Sequence, residues 1–182
     1  MSGIKGIVIL TRFDYIESTY GREKLKKFSD QLKIDGENPL VQPIGISKDY
    51  PELLLKMIDD KMLSEFLTND ISAFLEIGRW NAQHLLPRYF QNYIDEKNPS
   101  GFLYQMMRLR DTLIGLGDMH VADLSKHTFL VRINYGQPYI ESVRLNELGY
   151  LEEGCRMCGA KNIIWEEIEK NDTSVEYQIS WN

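Results

Sequence analysis

Cysteine is nearly absent from this chain of 182 residues, which has only Cys155 and Cys158. Two thiols three positions apart cannot build a disulfide framework, and free thiols suit a reducing compartment. Histidine is as scarce, with His84, His120 and His127 its only copies. No apolar run approaches the roughly 18 to 20 residues of a membrane-crossing helix. The start of the chain lacks the apolar core of a signal peptide, because residues 6–10 are too few and Arg12, Asp14 and Glu17 follow. A cytoplasmic location is expected. Basic charge is also in deficit, with 21 Lys and Arg against 27 Asp and Glu and a net charge of -6. That balance excludes the electrostatic footprint of a nucleic-acid binder. The densest basic stretch, residues 22–27, is broken by Glu23 and reads as a solvated helix face. A zinc-peptidase helix, a Gly-x-Ser-x-Gly elbow and a phosphate-cradling glycine loop are all missing. The chain is therefore expected not to be an enzyme.

The apolar pattern that is present predicts one domain over residues 1–182, large enough to bury roughly 70% of its unfolded surface. Residues 4–16 are densely apolar and fit a strand or a helix. Leu25, Phe28 and Leu32 then form one stripe of an amphipathic helix. A loop is expected over 35–43, followed by a helix entrance with Pro51 at the first helical position and an apolar face of Leu53, Leu54, Met57 and Ile58. Asn69 and Asp70 offer a cap for a helix carrying Ile71, Phe74, Leu75, Gly78 and Ala82, which Pro87 should kink or end near Leu86. After a breaker loop at 95–101, Phe102, Met106, Leu109 and Leu113 recur at helical spacing until Gly115 and Gly117.

The last third carries the strand signals. Residues 128–134 read as a strand, residues 139–158 as a long helix with Ile140, Val143, Leu148, Leu151, Cys155 and Cys158 on its buried stripe, and residues 162–167 and 174–181 as a hairpin. Gly149 and Gly154 weaken that helix and call for a closely approaching neighbour. Helices first, then strand, helix, strand, strand predicts an α+β fold: an N-terminal helical layer on a small antiparallel sheet, with a long helix crossing it.

Candidate chemistry is sparse. The cysteine pair closes a helix instead of opening one, which reads as buried small apolar residues and not as a redox or zinc motif, and no metal site is expected. The acid pairs Asp59–Asp60, Glu152–Glu153 and Glu166–Glu167 read as solvated faces. Phe74, Trp80, Phe102, Met106 and Leu151 would suit the wall of a pocket for a small apolar ligand.

Several short motifs share one resemblance. Lys5-Gly6-Ile7, Tyr20-Gly21 with Leu25, Asp49-Tyr50-Pro51-Glu52, and Gly159-Ala160-Lys161-Asn162 followed by strands ending in Tyr177 to Trp181 resemble, in that order, the heme nitric oxide/oxygen binding (H-NOX-like) superfamily. That superfamily includes the four-vinyl-reductase domains and the TRAPP vesicle-tethering subunits, and the C-terminal motifs are most similar to a branch abundant in myxobacteria. The resemblance spans nearly the whole chain. It implies a non-catalytic sensor or interaction module that binds a small hydrophobic ligand or a signalling partner and pairs as a homodimer; no cofactor is expected, because the heme motifs match only in part. A heme-based gas sensor is the alternative. There Leu116-Gly117-Asp118-Met119-His120 resembles the proximal-histidine segment, with His120 as axial ligand. Ser142 and Arg144 match the last two members of the Tyr-x-Ser-x-Arg clamp, while Ile140 stands at the tyrosine position and Tyr139 is displaced by one.

Overall fold

A computed structural model describes residues 3–33, 38–39 and 42–182. Residues 35–37 and 40–41 of the loop expected over 35–43 lie outside the described ones. The chain forms two compact units, Met1–Ile71 and Ser72–Asn182, where one domain over 1–182 is expected from the sequence.

In the first unit, β1 (Ile4–Lys5) leads directly into α1 (Gly6–Tyr20), α2 (Arg22–Asp30), β2 (Asp49–Tyr50) and α3 (Glu52–Glu65). The ambiguous opening segment is thus a helix after a two-residue strand paired antiparallel with β2. Gly21 joins α1 to α2 at φ +92°, a conformation that favours glycine, while its N–H donates to Glu17 O. Phe28 on α2 sits edge-on to Phe13, and Tyr20 stacks on Phe66 with centroids 4.6 Å apart. Pro51 stands just before α3 instead of inside it. The buried face of α3 is Leu54, Leu55, Ile58 and Met62, leaving Leu53 57% exposed, because an unbroken Leu-Leu-Leu run gives the helix a choice of stripe. Asp59 corrects the solvated-face expectation. It is 1% exposed, with its carboxylate against Arg12 Nε at 3.0 Å.

The second unit holds α4 (Ala73–Tyr89), α5 (Pro99–Leu113), β3 (Asp118–Ser125), β4 (Thr128–Asn134), α6 (Glu141–Met157), β5 (Ile164–Lys170) and β6 (Ser174–Ser180). The α+β expectation holds: helices pack with one four-stranded antiparallel sheet of order β3-β4-β6-β5. Thr68 and Asn69 take positive φ, so α4 starts at Ala73 and not at the expected cap. Pro87 does not end α4 at Leu86; it lies in the last turn, where Leu86 O still accepts from Phe90 N at 2.9 Å. Asn98 caps α5, its side chain accepting from Gly101 N at 2.8 Å.

Two glycines bring α4 and α6 together. A Cβ on Gly78 would sit 2.1 Å from Asn146 O, and one on Gly149 would sit 2.0 Å from Leu75 O. The close neighbour expected from Gly149 and Gly154 is therefore α4 for the first and the Phe102 ring of α5 for the second. This contact carries a charge ladder of Arg79, Glu152 and Arg156, with Glu153 beside it. Glu152 and Glu153 are buried there, again against the solvated-face expectation. No helix of the described residues is long and apolar enough to cross a membrane.

Candidate functional site

The sheet has two faces, and they divide the sequence-predicted residues between them. On the ladder, His120 lies opposite Arg132, which lies opposite Glu176. Side chains alternate along a strand, so Tyr177, next to Glu176, points the other way. Arg144 at the start of α6 reaches that covered side, donating from Nη1 to Tyr177 Oη and to Glu167 at 3.2 Å. It also holds Glu141 through Nε at 2.8 Å. His120 and Arg144 therefore stand on opposite faces. Ser142 is buried beside Arg144 on α6. Tyr139, just before the helix, is half-buried with its ring 5.1 Å from that of Tyr135.

His120 is 73% exposed with Nε2 3.1 Å from Asp118. It lines an open groove of about 500 Å³ with Asp118, Arg132, Asn134 and Glu169. His84 and His127 are exposed too, and the His84 ring stacks on Trp80 at 3.8 Å. Among the described residues no group of three or more His, Cys, Asp or Glu could hold a metal ion.

Of the five pocket residues, Phe74, Phe102, Met106 and Leu151 are buried in the core of the second unit, while Trp80 is half-buried against His84. α4 and α6 meet backbone to backbone at Gly78 and Gly149. Cys155 and Cys158 are buried, and burial is the main cause that pushes both thiols up. A thiol held neutral is the reverse of a reactive one.

A second polar cluster escaped the sequence reading. Glu147 on α6 accepts from Arg110 Nε at 2.8 Å and from Tyr135 Oη at 2.7 Å, and Arg110 Nη1 donates to Leu116 O at 2.9 Å. Arg110 Nη2 is buried with no hydrogen-bond partner among the described residues. Burial, reinforced by the Glu147 charge, holds the Tyr135 phenol well above its usual range. The signal that could have found Arg110 is a charge on the apolar stripe of α5, one helical turn after Met106.

No family model matches this sequence, and no curated protein matches it. Solved structures do share the fold. The oxygen complex of an oxygen-binding H-NOX domain related to soluble guanylate cyclases superposes with a TM-score of 0.78 at 16% identity, covering 98% of this chain and 95% of that one. A structure on the molecular mechanism of H-NOX activation gives 0.76 at 16%, covering 100% and 97%. An Fe(II) unliganded H-NOX point mutant from K. algicida gives 0.71 at 16%, covering 98% and 97%. The fold is H-NOX-like, and the likeness extends to no particular branch such as the myxobacterial one.

These structures correct one expectation. The expected absence of a cofactor is contradicted by other solved structures that share the fold, which concern porphyrin distortion and heme distortion. The residues named for heme do not fit it as a set, however. One macrocycle cannot meet His120 on the open face and Arg144 on the covered face of the same sheet. Among the described residues an orphaned donor that suits an anionic group is buried at Arg110 Nη2.

Proposed function

We propose that this chain is a sensory domain on the H-NOX fold that acts by binding and not by catalysis, with heme as the ligand to which the fold points. The observation that carries this reading is the likeness along the whole length: H-NOX chains cover 98–100% of this one and are themselves covered to 95–97%. For that reason residues 1–182 are taken as one functional unit. Fold alone never fixes chemistry, so support must also come from the residues. Buried cations are already engaged, with Arg12 on Asp59 and Arg144 on Glu141, and the thiols are held neutral, which suits a scaffold better than a catalyst.

In this reading the iron ligand is a histidine, and His84, His120 and His127 are the three the chain has, with His120 in the segment that resembles the proximal one. Titration with hemin tests it. A sharp Soret band that saturates at one equivalent, and that His120→Ala abolishes while His84→Ala and His127→Ala retain it, supports heme held by His120. A broad, non-saturating band for all four proteins refutes heme.

A second reading follows from the burial of Phe74, Phe102, Met106 and Leu151: a small apolar ligand that enters by opening this core. Mass spectrometry of molecules copurified with the protein tests that. The domain is further read as cytoplasmic and as a partner in a homodimer or a signalling complex; light scattering of the purified chain checks the homodimer.

A further inference from the structure

β5 is an outer strand of the four-stranded sheet, so one of its backbone edges has no ladder partner among the described residues. A free edge presents a row of N–H and C=O groups to any incoming strand. Six of its seven residues are exposed. Ile164 is 65% and Ile168 48% exposed, so this edge carries two large apolar side chains that the fold leaves in water. Ile168 is the bulged residue, since Glu167 pairs with Tyr177 and Glu169 with Glu176, which leaves Ile168 without an opposite number.

Charge then selects the occupant. Glu166 and Glu169 have no cation among the described residues, although Glu176 opposite Glu169 is taken by Arg132. A second copy would bring a second Glu166 and Glu169 to this edge, since Glu167 is held by Arg144 and Lys170 by Glu141, and the chain as a whole carries -6. Like charges directly opposite destabilise a ladder. The edge is thus apolar enough to hold a strand and too acidic to pair with itself.

We propose that the free edge of β5 receives an extended, basic segment of a partner protein by strand addition. Backbone hydrogen bonds supply the affinity, apolar side chains of the partner cover Ile164 and Ile168, and its lysines or arginines meet Glu166 and Glu169. This surface works whether or not heme is bound, so it stands or falls independently of the ligand reading.

The test is a backbone-amide NMR titration of the full chain with a synthetic peptide alternating lysine and valine, and with its glutamate-for-lysine counterpart. The basic peptide is expected to shift the amides of residues 164–170 first. The double variant Glu166→Lys, Glu169→Lys alters only exposed side chains, and its unchanged spectrum elsewhere confirms folding. It should weaken the basic peptide about tenfold, as the loss of two exposed ion pairs implies. Shifts centred elsewhere, equal binding of the acidic peptide, no loss in the double variant, or no shift at millimolar peptide would each overturn the proposal. So would concentration-dependent shifts of residues 164–170 without peptide, which would make a second copy the occupant.

Discussion

Arg144 donates a hydrogen bond to the hydroxyl of Tyr177, joining the first turn of α6 to the covered face of the sheet. The same guanidinium grips Glu141 and lowers its carboxyl below the usual 4.5. A carboxyl lowered in the native state contributes stability above its unfolded value, and that share is lost as pH falls through the native one. Replacing Arg144 by Met should therefore flatten the acid limb of stability below about pH 4.5 and cost about 1–3 kcal/mol at neutral pH, chiefly because Tyr177 keeps a buried hydroxyl without its donor. Urea denaturation of both proteins across pH 3 to 7 checks both effects.

Glycine to alanine in a helix ordinarily stabilises by about 0.5–1 kcal/mol. At Gly78 and Gly149 the sign should reverse. The added methyl would meet a backbone carbonyl of the facing helix near 2 Å, and neither α4 nor α6 can yield without parting the pair. A loss of about 1–3 kcal/mol is expected for each, read as a drop in Tm. Gly21 separates the two explanations, since nothing lies within 4 Å of a Cβ there and only its φ of +92° opposes alanine.

What could be read from the sequence was what local pattern decides. α5 was legible because Asn98 and Pro99 open it and Phe102, Met106 and Leu109 repeat along one side. β3 was not. Only Met119 of its eight residues is buried, so alternation is missing, and its strand character comes from pairing with β4. Without β3 there was no way to see that His120 faces away from Arg144. The acids Asp59 and Glu152 misled for a related reason. Each is buried only because a guanidinium 47 or 73 positions away, Arg12 or Arg79, folds onto it. The H-NOX-like architecture was nonetheless legible, since the motifs that resemble it are helix entrances and strand ends, which backbone geometry fixes locally.

The Arg12–Asp59 pair makes its own prediction. Both side chains are 1% exposed, in bidentate contact at 3.0 and 3.3 Å. Removing one partner strands a buried charge, so Arg12→Met or Asp59→Leu alone should cost about 3–5 kcal/mol. Removing both together should cost far less, because an apolar pair of similar volume avoids the desolvation of two ions. A double-mutant cycle by chemical denaturation reads the difference. Equal and additive losses would mean that the surrounding packing, not the charge pair, sets the cost.

Alkaline pH probes the tyrosines. Burial is the main cause raising Tyr135, Tyr150 and Tyr177, with Glu147 adding to the effect at Tyr135 and Arg144 opposing it at Tyr177. A phenol ionises near 10 once unfolded, whereas these three stay protonated in the native chain. Above that pH the unfolded state binds fewer protons than the native state, so stability must fall as pH rises. Phenolate absorbance should therefore grow in two stages, the exposed tyrosines first and the buried ones only with cooperative unfolding followed by circular dichroism. Tyr135→Phe removes one donor from Glu147 while Arg110 keeps its hold. That variant should lose about 1.5–3 kcal/mol, the range for a bond to a charged group, and show a shallower alkaline fall. A single smooth titration of all ten tyrosines, complete before unfolding begins, would contradict the burial of this cluster.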